Sequence, residues 1–168
     1  MRSADTLRRH GSCEAPPRGL SRFFYYSDVR RADHLFLGVT EVLYPREKGE
    51  YLRAGRPAQL KEKLLHRLQG DGFWLLDVLD VPVQYCTDPV ETAVPNLVKR
   101  LRGVVSSRTP IILIKATTYD AAADTLRCAG FNVIPVRVPF PGQGWQRAFR
   151  TKFNKALTIA GWHANRTC

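Results

Sequence analysis

Short apolar runs alternate with amphipathic stretches along this chain, and that alternation constrains the fold more than any single motif. His34-Leu-Phe-Leu-Gly38, Phe73-Trp-Leu-Leu-Asp77, Ile111 to Ile114 and Phe131 to Val136 are runs of strand length. Between them, Pro57 to Gln69 places Leu60, Leu64, Leu65 and Leu68 at helical spacing, with Gly70 as the stop. Val94 to Val105 repeats the pattern through Leu97, Val98 and Leu101, and Asp120 to Ala129 gives a third helix closed by Gly130. Trp145 to Ile159 gives a last helix with Phe149, Phe153 and Leu157 on one face. Strands alternating with helices of this length require parallel crossovers. The expected fold is therefore α/β, a three-layer α/β/α domain around a central, mostly parallel sheet of about four strands. Residues 21–168 are expected to form this single domain. Residues 1–20 carry Arg2, Arg8, Arg9, Arg18 and the Pro16-Pro17 pair with little apolar content, and read as a flexible basic tail.

Charge narrows the partner. Lys and Arg number 26 against 15 Asp and Glu, a net charge of +11. The excess is clustered: no acid occurs from Pro95 to Lys115 or from Arg137 to Cys168. Such stretches suit a polyanion, because each cation near a phosphate releases condensed counterions. DNA is the expected partner. No apolar run approaches the ~20 residues of a membrane span, and the N-terminus does not read as a secretory signal, so no membrane partner is expected. Cys13, Cys86, Cys128 and Cys168 form no C-x-x-C pair, and Cys128, among Ala and Leu, reads as a buried small hydrophobe. A reducing compartment, the cytoplasm, is expected, as are a monomer, no metal and no cofactor. His10, His34, His66 and His163 stand at neither metal-ligand nor triad spacing.

In a parallel α/β sheet the ligand crevice lies beyond the carboxyl ends of the strands. The residues expected there are Thr40 and Glu41 after the first strand and Asp77 and Asp80 at the second. Lys115 to Thr118 follow the third, and Pro139 to Trp145 the fourth.

Taken in order, these segments resemble the uracil-DNA glycosylase superfamily over roughly His34 to Gly161. In that superfamily the first strand ends in a Gly-led water-activating loop, in forms such as G-Q-D-P-Y, G-E-A-P-G or G-M-N-P-G. The second ends in a base-reading Asn within G-V-L-L-L-N, and the last leads into H-P-S-P and a helix. Here the corresponding segments are Gly38-Val-Thr-Glu-Val-Leu-Tyr-Pro45, Gly72-Phe-Trp-Leu-Leu-Asp77 and Val138-Pro-Phe-Pro-Gly-Gln-Gly144. The resemblance puts Thr40 at the water-activating position, Asp77 at the base-reading one and Val138 at the histidine.

An Asp at the base-reading position changes the chemistry expected of the pocket. Uracil offers an N3–H donor and an O4 acceptor, which a carboxamide satisfies. Cytosine offers the opposite pattern, and a carboxyl group is the natural acceptor for its N4 amine. A proton shared between that carboxyl and N3 completes the pair. Glu41 is the candidate for orienting or deprotonating water beside an oxocarbenium-like sugar, with Asp80 in reserve. Gly38, Tyr44 and Lys115 join Asp77 and Asp80 as substrate-binding candidates, Tyr44 as the residue that stacks on the base. Four aromatics in a row, Phe23 to Tyr26, are a weaker stacking candidate than Tyr44. Pro139, Pro141, Gly142, Gln143, Gly144, Trp145, Arg147 and Arg150 are the candidates for DNA contact, with Gln143 or Trp145 filling the gap left by an extruded base.

The expected function is thus a metal-independent DNA glycosylase acting on an altered, cytosine-like base, with glucosylated hydroxymethylcytosine of phage DNA among the candidates. The alternatives are a catalytically silent nucleic-acid-binding module, an ordinary uracil-excising repair enzyme, and a small-nucleotide enzyme using the same crevice.

Overall fold

A computed structural model describes residues 9–13, 24–28, 33–79, 89–142 and 144–162, with residues 9–13 described as backbone. The elements are β1 (Arg9–Cys13), α1 (His34–Leu43), α2 (Pro45–Arg53), α3 (Ala58–Gly70), β2 (Phe73–Asp77), α4 (Val90–Arg102), β3 (Pro110–Leu113), α5 (Ala116–Cys128), β4 (Asn132–Val133) and α6 (Gln146–Ile159). Helices and parallel strands mix in one chain, as expected. β1 runs parallel to β2 from Arg9 beside Phe73 to Cys13 beside Asp77, and parallel to β3 from His10 beside Ile111 to Ser12 beside Leu113. β3 pairs with β4 over two residues, and an isolated bridge joins Ile114 to Val138.

Side chains of successive strand residues point to opposite faces, and β3 shows what that does to the core. Ile112 and Ile114 pack with residues of α1, α2, α3 and α6, whereas Ile111 and Leu113 pack with residues of α4 and α5. β2 divides likewise, Phe73 and Leu75 to the first group and Leu76 to the second. Such strands, covered on both faces, read as continuous apolar runs rather than alternating ones.

Several sequence expectations need correction. His34–Gly38 is not a strand but the first half of α1. The Asp33 side chain caps it by accepting from the Phe36 N–H, and Leu35, Phe36, Val39 and Leu43 bury one helical face. The segment expected to be a loop, Gly38 to Pro45, is therefore the rest of that helix, and α2 starts at once with Pro45 in its first turn. The basic tail contains a strand, because the backbone of Arg9–Cys13 is paired on both sides. α4 begins at Val90, four residues before the expected start. It continues through Pro95, whose missing N–H and ring clash cost ~3 kcal/mol in a helix interior, because Val94, Leu97 and Leu101 are buried on either side of it. α5 likewise begins earlier, at Ala116. β4 is shorter than expected, and Pro135, which lacks an N–H, follows two residues after its end. Cys128 is exposed rather than buried.

Candidate functional site

β2 and β3 run parallel on either side of β1, so their carboxyl ends, with Asp77 at one and Lys115 just past the other, lie at the same end of the strands. Asp77 is the last residue of β2 and lies beside Cys13, the last residue of β1. Its side chain is half-buried, and burial pushes its pKa up from the ordinary 3.8 to about 6, with the positive charge of Arg100 opposing the rise. Arg100, on α4, donates to the backbone carbonyls of Asp77 at 2.7 Å and Val78 at 3.1 Å, so it fixes the end of the strand. The result is a carboxyl group that keeps its proton up to about pH 6 while its backbone is clamped.

At the end of β3, Lys115 takes φ +82°, a left-handed conformation that strains any residue with a Cβ, and serves as the N-cap of α5. α5 has no side-chain cap and no acid in its first turn, so its own residues leave the positive end of its dipole uncompensated. In that turn the Thr118 hydroxyl is fully buried without a hydrogen-bond partner. The Lys115 N–H donates to Val138 O at 3.0 Å, which holds the start of the proline-rich loop against the end of β3. Lys115 and Pro139 are thereby neighbours in space.

Further along that loop, Pro141 is buried against α1. A Cβ on Gly38 would meet Pro141 Cβ at 2.9 Å and the Phe149 ring at 3.0 Å, so glycine is what lets helix, loop and α6 approach. Gly38 is a packing position rather than a loop residue touching substrate. The Trp145 N–H donates to Gly142 O at 2.9 Å and Gly144 sits at φ +77°, which turns the chain into α6. Trp145 is 61% exposed, and Arg147 projects from the same exposed first turn.

The remaining candidates have other tasks. Thr40 is completely buried, and its hydroxyl donates to Phe36 O at 2.7 Å within α1, where it activates no water. The Glu41 carboxylate pairs with Lys48 of α2 and, at 3.4 Å, with Arg150 of α6. The hydrogen bond from Lys48 holds its pKa below the ordinary carboxylate range, so Glu41 is a poor base and ties three helices together. Tyr44 does not offer a stacking face either: its ring is buried under the Arg67 guanidinium, 4.4 Å from the centroid, and its hydroxyl donates to Asp71 at 2.7 Å. Phe24 packs edge-on against Phe36 in the core, and the Tyr25 hydroxyl bonds the Leu75 backbone. Asp80 and Gln143 lie outside the described residues.

A cavity of about 600 Å³ lies elsewhere, on the α1, α3 and α6 face of the strands, lined by Phe24, Val39, Leu68, Leu75, Ile112 and Phe153 among others. Leu75 and Ile112 are both in register with Gly11 of β1. Ser27, Glu62, His66 and Gln69 also line the cavity, and Asp77 does not. Among the described residues no group of three or more His, Cys, Asp or Glu could hold a metal ion, and no helix is long and apolar enough to cross a membrane. In comparisons with protein-family models, curated proteins and solved structures, none matches this chain.

Proposed function

We propose that this protein is a DNA glycosylase that extrudes and hydrolytically removes a cytosine-type base, working at the carboxyl ends of a four-strand parallel sheet of order β2-β1-β3-β4. The observation that carries the reading is Asp77: a half-buried carboxyl at a strand end, protonated to about pH 6. In its neutral form the group accepts from the N4 amine of cytosine and donates its proton to N3; in its ionised form it still accepts from that amine but has no donor for the O4 of uracil. Protonation at N3 also makes the base a better leaving group as the C1′–N1 bond breaks. Lys115, the N-terminus of α5 and the cations of α6 supply positive potential for the flanking phosphates.

Since residues 34–38 are helical, the water-activating loop of the resemblance belongs after β1. There the sequence reads Cys13-Glu14-Ala15-Pro16-Pro17, whose Glu-Ala-Pro matches the G-E-A-P-G form. Glu14 lies outside the described residues, and the role of accepting a proton from the attacking water as the glycosidic bond breaks is proposed for it on this sequence match. The structural duties of Thr40 and Glu41 favour, as a second reading, a module that binds DNA without catalysis.

One assay separates the two. Duplexes carrying a single uracil, cytosine, hydroxymethylcytosine or glucosylated hydroxymethylcytosine are incubated with the protein and treated with alkali, which cleaves the strand at abasic sites. Cleavage at a cytosine-type base is the expected result. Binding without cleavage across the panel would establish the non-catalytic reading, and cleavage at uracil alone would remove Asp77 from base recognition.

A further inference from the structure

α6 and the turn before it present an exposed aromatic and cationic face. Trp145, Ala148, Thr151 and Lys152 recur at helical spacing and, with Gly144 and Arg147, line an open depression of about 460 Å³. Trp145 is the most exposed of the large hydrophobic residues described, at 61%, and a lone exposed indole would mean little without its surroundings. Those surroundings are specific. Arg147, Lys152 and Lys155 are exposed and make no ion pair among the described residues, whereas Arg150 is paired with Glu41. No acid occurs anywhere from Arg137 to the end of the chain. Across the glycine turn, Phe140 is a second exposed aromatic, and its ring packs against Gly142, where a Cβ would meet it at 3.2 Å.

We infer that this face binds single-stranded DNA flanking the reacting nucleotide, with an unpaired base stacked on Trp145 and phosphates on Arg147 and Lys152. The inference rests on the nucleic-acid part of the function proposed above. Unpaired cations ask for phosphate, and an exposed indole among them asks for a planar apolar group on the same polyanion. Inside a duplex both faces of every base are covered by its neighbours, so an indole on the protein surface can stack only on an unpaired or terminal base. The preferred substrate is therefore a strand that is single-stranded beside the target. Its phosphates set affinity and its stacking sets the preference for single strands.

Binding of the full-length protein to fluorescent (dT)12 and to a closed circular duplex, which has no terminal bases, is the test, with neither carrying a target base. Trp145→Ala should weaken (dT)12 binding roughly tenfold to a hundredfold and duplex binding by less than about twofold, and Trp145→Phe should restore most of the loss. Arg147→Ala and Lys152→Ala should each reduce the slope of log affinity against log salt by about one unit on (dT)12. Trp145 is exposed, so an unchanged thermal melt is expected and shows that any loss is local. Equal loss on both DNAs, no loss on either, or binding to anionic vesicles in place of (dT)12 would overturn the inference. Failure of base excision across the panel, run both as duplexes and as the corresponding single strands, would sink the glycosylase reading while leaving these binding ratios intact, so the two outcomes stay distinct.

Discussion

Asp77→Asn should make the protein more stable and less able to act on cytosine-type bases, and both effects follow from one number. Burial raises the Asp77 pKa from 3.8 to about 6 in the folded chain. At 1.36 kcal/mol per pKa unit, that rise corresponds to about 3 kcal/mol against the ionised form. The side chain is only half-buried, so solvent screening reduces the effective figure to roughly 1–2 kcal/mol. Between pH ~4 and ~6 the folded state holds a proton that the unfolded chain has released. Stability contributed by this site is therefore lost as pH rises through that window and stays lost above it. Asparagine carries no charge at any pH. The variant should match wild type near pH 4 and exceed it by roughly 1–2 kcal/mol at pH 7.5, an increase in Tm of about 2–8 °C for a chain of this length. Urea unfolding followed by tryptophan fluorescence from pH 4 to 8 measures the difference directly. A difference that stays flat across that range would refute the claim that Asp77 is desolvated. The gain in stability should come with a fall in excision, as for a group kept for its chemistry.

Three further substitutions probe the surroundings of the site. Glu41→Gln should leave single-turnover excision within about threefold of wild type and cost up to ~1 kcal/mol in a thermal melt, since it weakens partly exposed ion pairs to Lys48 and Arg150; a rate loss of ~10²-fold would return Glu41 to the role of base. Gly38→Ala should destabilise by ~1–3 kcal/mol, because its Cβ would stand 2.9 Å from Pro141 and 3.0 Å from the Phe149 ring; an unchanged melt would contradict that packing. Thr118→Val replaces a buried hydroxyl without a partner by a methyl of similar shape, and should be neutral or stabilising by up to ~1 kcal/mol in urea unfolding; a loss above that would mean the hydroxyl has a partner.

The sequence was legible where one local signal acts alone. Phe73–Asp77 and Ile111–Leu113 are apolar runs too short for a helix, bounded by Gly and Pro, and both are strands. α3 and α6 follow from leucine and phenylalanine spacing. His34–Gly38 misled because five apolar-rich residues fit either period, and only the continuation through Val39 and Leu43, with Asp33 as cap, reveals a helix. β1 carries no apolar alternation, since Arg9-His-Gly-Ser-Cys13 is extended through backbone pairing with strands distant in sequence. No local pattern reports that. Asp77 was placed at a strand end by its sequence, but its raised pKa depends on burial that only the folded chain supplies. The error at Glu41 and Tyr44 follows from the misassigned strand: once their segment is helical, their side chains find partners on α2, α3 and α6 and in the turn that follows α3.

The most direct test of the central claim compares wild type and Asp77→Asn in single-turnover excision on two otherwise identical DNAs, one carrying hydroxymethylcytosine and one uracil, across pH 5 to 8. Wild type is predicted to cleave the cytosine-type substrate, with a rate that falls as pH rises through about 6 and Asp77 loses its proton. The variant is predicted to lose that substrate and its pH dependence, and to gain relative activity on uracil. Equal substrate ratios and equal pH profiles for the two proteins would contradict base recognition by Asp77.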